Sequence, residues 1–553
     1  MKAHSHPWLI LSHSSDARSW RRLHGQSAES AIARPYPSGA LETGQVRPSA
    51  VDSPALTSGS PLKRLLVHVS HYSLASLLTT VAGVISFPFM TRVFSVAEYG
   101  TINLIAATLT LAVAVGKVGV QHSVIRYHSE IASGKRIFSL DQLYSTTLIG
   151  MGATGLAMGV LLLAATLFGP DRWFHAIPNL RLYFAISSVV CMSQVLESVV
   201  INLVRAKQLT TLLMVYQVVK RYAMLGLVVV GVLFVARSLT SFYAAMVFTE
   251  VTAMLVLALH FFRKHVDAPL KASSFSSPLY AELLRFGIPM MVGYELSGII
   301  LSVGDRYVIE GMMGGESLGL YSAAYNLCGY VQSVVISSVG QAIMPIYMQM
   351  WDQKGRDETA AFISRSLRTY CLFAAPVVAG IAAVGPELLP ALASAKYASA
   401  VTVLPWVIGG MVLDGMTAMV GAGLFIHRKT TVIVSIIMSC AVLNIGLNFL
   451  LIPPLGVVGA AIATLAAYAA MTVAMTLFSH RLLPVHLPWA SLARSGAASA
   501  IMFAVVYFVY PGHRLLTVAV RAMLGALVYA VVIVAIDGDA RQLARKLRAR
   551  LRR

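Results

Sequence analysis

The chain has 553 residues, of which 57% are hydrophobic and 12% charged, with a net charge of +20 and a mean hydropathy of +0.72. A soluble globular domain carries about twice that charged fraction, so a soluble enzyme or nucleic-acid-binding protein is excluded. The basic excess sits between and beyond long apolar runs, where it reads as membrane topology.

Residues 1–60 are polar, rich in Ser, Pro, His and Arg, without periodicity, and read as a disordered segment. The first apolar run starts near Leu65 and is too long for a cleavable signal peptide, so none is expected. Runs follow at roughly 65–90, 101–122, 143–168, 182–204, 211–235, 241–262, 284–304, 320–342, 367–392, 401–426, 430–452, 456–478, 492–510 and 514–536. Each can cross a hydrocarbon core of about 30 Å, and in lipid the backbone must bond within the segment, so the runs are helices. The expectation is an all-α integral membrane protein of about 14 transmembrane helices. A six-helix lobe over 61–265 is followed by a second over 266–482, two more helices over 483–540 and a basic tail over 541–553. Leu543, Leu547 and Leu551 in that tail are four residues apart, which makes an apolar stripe with basic flanks suited to anionic headgroups.

The loops test this count. The even-numbered connections hold seventeen Lys and Arg residues and the odd-numbered ones seven, which places both termini in the cytoplasm. The halves also echo one another. Arg92 and Arg306 close the first and seventh runs, and Arg205 with Lys207 precedes the fifth as Arg428 with Lys429 precedes the eleventh. The spacings are 113 residues from Arg92 to Arg205 and 122 from Arg306 to Arg428, a parallel duplication typical of transporters that rock two bundles about one site.

Ionisable side chains inside a bilayer are costly and mark functional candidates. Those in the runs are Lys117, Glu197, Lys220, Arg221, Glu250, Glu295, Asp414 and Arg521. Glu197 lies eleven residues before the turn near Gln208 and Lys220 twelve after it, so the two share a depth and pair. Arg221 points about 100° away from Lys220 around a helix. Glu250, Glu295 and Asp414 have no partner nearby in sequence and are candidates for coupling to a H⁺ or Na⁺ gradient. Asp305 beside Arg306 reads as a local pair at a helix end, and Arg92 as a structural residue at the equivalent end. Pro88, Pro289, Pro376 and Pro405 lie in or at the ends of runs, where they kink helices. The four cysteines fall in separate apolar runs and read as buried thiols, not disulfides or metal ligands. No phosphate-binding G-x-x-x-x-G-K-[ST] is present, the outer loops hold no carboxylate pair, and Asp537-Gly-Asp539 reads as a helix terminus. No catalytic residue, metal site or cofactor is expected, and a membrane glycosyltransferase or polymerase is the weaker reading.

Several segments resemble the polysaccharide transporter family, flippases for lipid-linked repeat units of O-antigen and exopolysaccharide. They are PFMTRVFSVAEYG from Pro88, GVQHSVIRY from Gly119, RFGIP ending at Pro289 with GDRY from Gly304, GLYSAAY from Gly319, and the stretch Lys396–Tyr468 with LNIGLNFLLIPPLGVVGAAIAT. The family belongs to a superfamily shared with multidrug extruders and the lipid II flippase. The resemblance implies two six-helix lobes around a cavity in a bacterial inner membrane. The implied cargo is an undecaprenyl-diphosphate-linked oligosaccharide, and the implied partners are membrane lipids, the polysaccharide polymerase and the chain-length machinery. A lipid II-type flippase or a cation-coupled multidrug antiporter is the alternative. A diphosphate needs cations, so Lys117, Arg126, Lys220 and Arg221 form the expected substrate site. An anchoring role at the inner helix end competes for Arg126.

Overall fold

The computed structural model describes residues 61–170, 179–266, 271–509, 515–542 and 545. The N-terminal segment, Arg172, Arg514 and the leucine stripe of the tail lie outside these residues. The described chain is helical and contains no strand.

The first set of helices is α1 (Pro61–Val93), α2 (Val96–Gly116), α3 (Val120–Ala132), α4 (Leu140–Phe168), α5 (Leu180–Ala206), α6 (Thr210–Val230) and α7 (Leu239–His265). The second is α8 (Ser277–Met290), α9 (Ser297–Val331), α10 (Ser337–Lys354), α11 (Arg356–Leu392), α12 (Leu404–Val420), the short α13 (Ala422–Ile426), α14 (Thr430–Leu455) and α15 (Val457–His480). Last come α16 (Trp489–Phe508) and α17 (Leu515–Ile536).

Local chemistry sets the ends. Ser95 and Glu98 form a reciprocal capping box on α2, and Ser139 with Gln142 forms one on α4. The apolar run expected over 101–122 is divided: Val118 and Gly119 adopt φ of 43° and 74°, and α3 leaves on a new axis. Pro88, Pro289 and Pro376 lie inside helices, whereas Pro405 starts α12, where its missing N–H costs nothing. Directly after Pro289 the chain makes a π-helical turn, Met291–Leu296, which carries Glu295. Two others, Gly231–Val235 and Gln332–Ile336, follow α6 and α9. Such turns insert a residue into the helical register and re-aim side chains.

Thirteen helices among the described residues are long and apolar enough to cross a membrane. One of them, Ser277–Val334, runs 58 residues, or ~87 Å at 1.5 Å per residue, nearly three times the hydrocarbon core. Gly314, at φ 81° and ψ 175°, breaks its backbone. The segment covers the apolar runs expected at 284–304 and 320–342, with Gly314 lying between them.

α4, α5 and α7 pack together, as do α12, α14 and α15, while α16 and α17 pack on α11. The two sets meet where glycine permits backbone contact. A Cβ on Gly100 would lie 2.1 Å from the Gly315 carbonyl oxygen, and one on Gly319 1.9 Å from that of Val96. At the other end of α2, a Cβ on Gly119 would lie 1.9 Å from the Gly287 carbonyl oxygen. Asp537, expected as a helix terminus, caps the next turn by accepting the Asp539 and Ala540 backbone N–H groups. Burial raises the pKa of its carboxyl, but those N–H groups and Arg494 outweigh this and leave it below the ordinary value.

Candidate functional site between the two sets of helices

A cavity of about 380 Å³ lies between α1 and α6 on one side and α9, the π-helical turn after it and α12 on the other. Its wall is polar for a membrane interior: Thr79, Thr80, Asn326, Tyr330, Gln332 and Ser333 line it, with Arg221 as its cation. Cross-links hold the wall in place. Thr80 and Ser333 hydroxyls are 3.1 Å apart, and Asn326 donates to the Tyr99 hydroxyl at 2.9 Å and to Asn103 Oδ1 at 3.0 Å. Arg221 lies eleven residues into α6, ~16 Å from its start, and is exposed to the cavity. No carboxylate pairs with it among the described residues.

The four expected cations do not form one site. Lys220 turns away from Arg221, as adjacent helical residues must. Its Nζ lies 2.6 Å from Glu197 Oε2 and 2.7 Å from Glu250 Oε2, joining α5, α6 and α7. Tyr216 donates to the other Glu197 oxygen at 2.7 Å. Thus the Glu197–Lys220 pair is present and Glu250 joins it as a third member. Lys117 reaches Glu295 Oε1 at 3.6 Å. The same carboxylate accepts from Gln121 and lies 3.3 Å from His122 Nε2. Arg126, its side chain 57% exposed, bonds Glu130 at 2.7 Å within α3 and covers the Phe286 ring. It does not line the cavity, because it lies on α3, a separate helix beyond the end of α2.

These residues build one contact between the two sets. Arg136 bridges Glu130 at 2.6 Å and Glu282 of α8, and Ser123 donates to the Leu283 carbonyl at 2.9 Å. Hydrogen bonds from Arg126 and Arg136 hold the Glu130 carboxyl below its usual pKa. At the far end of α1, Arg92 donates to the Leu392 and Ala391 carbonyls, both at 2.7 Å, and Thr91 to that of Ala393 at 2.9 Å. Arg92 therefore satisfies the open carbonyls at the end of α11. The sets touch on both sides of the cavity.

Asp305 and Arg306 are buried within α9, 3.9 Å apart. Asp305 accepts from Tyr321, and Arg306 donates to the Ser302 carbonyl at 3.0 Å and covers the Tyr325 ring. Asp414 on α12 accepts from Gln332 at 3.3 Å and is thereby linked to the cavity wall. Arg521 pairs with Glu387 at 2.6 Å, joining α17 to α11. Gln332, Asn326, Glu387 and the His122–Gln121 pair were not singled out from the sequence. A search for charges passes over neutral amides; the π-helical turn that aims Gln332 has no sequence signature. The four cysteines are free and buried, and the described residues hold no cluster of metal-ligating side chains.

A many-crossing helical protein with a polar, cation-bearing cavity between two sets of helices is a membrane transporter in architecture. The chain belongs to the polysaccharide biosynthesis protein family, whose model matches residues 65–351. It is 22% identical to the probable low-salt glycan biosynthesis flippase Agl15 of Haloferax volcanii, over 46% of this chain and 53% of that protein. It is 30% identical to the succinoglycan biosynthesis transport protein ExoT of Rhizobium meliloti, over 24% of this chain and 26% of that one. The matched stretches thus span about half or less of each relative's length. Among solved structures, the lipid II flippase MurJ in an inward closed conformation superposes with a TM-score of 0.68 at 14% identity, covering 86% of this chain and 99% of that one. An inward-facing multidrug MATE transporter of the MOP superfamily gives 0.59 at 15% identity, over 74% and 94%. At such identities the likeness establishes the fold: that of the MOP transporters.

Proposed function

We propose that the protein moves an undecaprenyl-diphosphate-linked oligosaccharide repeat unit from the cytoplasmic to the outer leaflet of a bacterial inner membrane for polysaccharide assembly. It does so by rocking two six-helix lobes, 61–265 and 266–482, about the Arg221 cavity, and it performs no covalent chemistry. Arg221 carries this reading. A mid-depth arginine is costly unless it is paired or faces water; Arg221 has no carboxylate partner among the described residues and faces the cavity, where its planar fork suits the phosphate oxygens of a visiting anion. The surrounding hydroxyls and amides match sugar hydroxyls, which must exchange water for partners of equal quality. The same cation disfavours a multidrug antiporter, because cationic drugs would enter against like charge. A lipid II-type flippase meets the same chemistry, and vesicles offered lipid II and the oligosaccharide lipid side by side separate the two.

Coupling to H⁺ or Na⁺ is assigned to Asp414, the one of the three acid candidates without a cationic partner among the described residues. In those vesicles, transport slows when both gradients collapse, and Asp414→Asn transports at one rate with or without them. Equal gradient dependence in the variant and the unaltered protein would remove Asp414 from this role.

The charge bias of the loops orients the protein with both termini in the cytoplasm. Reporters fused after Phe262 and after Asp537 both report the cytoplasm; an outer signal from either would overturn the orientation.

A further inference from the structure

α11, α16 and α17 carry two features that share no lining residue with the Arg221 cavity. On the basic-rich side of the protein, Ser364, Arg365 and Arg368 of α11, His486 of the linker after α15, and Trp489 and Ser491 at the start of α16 enclose a cavity of about 450 Å³. Arg368 is committed: it pairs with Asp539 and donates to Ser491 Oγ at 2.7 Å. Arg365 is not, since among the described residues its guanidinium reaches only the Ala361 carbonyl of its own helix, at 3.3 Å. Arg365 and His486 are exposed, and Trp489 is 71% exposed. No acidic residue lies in the first turn of α16 and no side chain caps it, so its N–H groups add positive potential to the same cavity.

One turn beyond Arg368, Leu372 opens the second feature, an apolar cleft of about 650 Å³ between α11, α16 and α17. Its lining extends from Ile533 to Arg521, ~18 Å along α17 and so at least one leaflet deep. An anion-seeking pocket with an indole at its mouth and an apolar cleft adjoining it has the polarity profile of a phospholipid. A free anion would leave the cleft without use, and a zwitterionic lipid would bring a headgroup cation against the same positive potential.

We propose that this pocket is a binding site for an anionic glycerophospholipid of the cytoplasmic leaflet. The phosphate sits against Arg365, His486 and the start of α16, and the acyl chains lie in the cleft. The anionic leaflet lies on the side that the basic loops select. The site rests on that orientation and does not depend on what the Arg221 cavity carries.

Trp489 supplies the probe. The full-length protein is placed in bilayers containing either brominated phosphatidylglycerol or brominated phosphatidylcholine, and Trp489→Phe identifies the share of quenching that belongs to this indole. The phosphatidylglycerol is expected to quench with about fivefold preference for each cation engaged, as one basic residue near an anionic surface confers. Arg365→Gln, a change at an exposed side chain, reduces the preference about fivefold, and His486→Gln reduces it less. Inorganic phosphate in the buffer leaves the quenching unchanged. Equal quenching by the two lipids, an unaltered preference in Arg365→Gln, or displacement by inorganic phosphate would each overturn the proposal.

Discussion

Replacing Arg221 with Gln is expected to abolish translocation while leaving insertion and abundance normal. Arg221 is exposed to the cavity and forms no ion pair among the described residues, so its loss unpairs no carboxylate. What is lost is a set of charge-assisted bonds to the visiting anion, each worth about ten- to hundredfold in cargo affinity. The lipid-linked repeat unit then accumulates on the cytoplasmic leaflet. Arg221→Lys retains part of the activity, because charge survives while the two-pronged geometry does not. Arg126→Gln is the control: its partner Glu130 keeps Arg136 at 2.6 Å, and transport stays near normal. Full activity in Arg221→Gln would remove the residue from the cargo site.

The second large effect is on stability. Lys220→Met leaves Glu197 and Glu250, both largely buried and within 2.7 Å of the lost ammonium, without a counter-charge. Removing one partner of a buried ion pair costs about 3–5 kcal/mol, and here two carboxylates are left facing one another. Thermal unfolding in detergent, followed by loss of a monodisperse peak, is expected to fall sharply. Adding Glu197→Gln and Glu250→Gln restores most of it, because neutral amides tolerate burial when bonded to one another. This pattern separates Lys220 from Arg221, its neighbour in sequence: one holds three helices together and the other faces the cavity. A Lys220→Met protein as stable as the unaltered chain would show that the triad bears no charge in the folded state.

The helices were legible because membrane crossing imposes a length and an apolarity on each segment that nothing later in folding relaxes. The Glu197–Lys220 pair was legible for a related reason. A residue count from a shared turn gives depth, and a turn joins helices that are neighbours. Glu250 and Glu295 were not paired from sequence, because their partners depend on the rotation of helices about their own axes and on packing between segments far apart in the chain. Lys117 is 178 residues from Glu295, and the π-helical turn at Met291–Leu296 shifts the register of that helix in a way hydropathy does not report. Grouping four cations into one site failed on the same point, since similar depth places residues in a layer without saying which way each one points. The glycine contacts at Gly100, Gly119 and Gly319 were hidden for another reason: glycine in an apolar run looks like any small residue until the facing backbone is known.

The most direct measurement of the central claim uses purified full-length protein in sealed vesicles. An undecaprenyl-diphosphate-linked oligosaccharide, fluorescently labelled, is loaded into both leaflets, and a membrane-impermeant reductant is added outside. Nearly all the label is expected to bleach with the unaltered protein and about half with Arg221→Gln, the fraction set by the outer leaflet alone, with lipid II moving much more slowly than the oligosaccharide lipid. Bleaching that stops at half for the oligosaccharide lipid with the unaltered protein, or that runs to completion in Arg221→Gln, would contradict the claim.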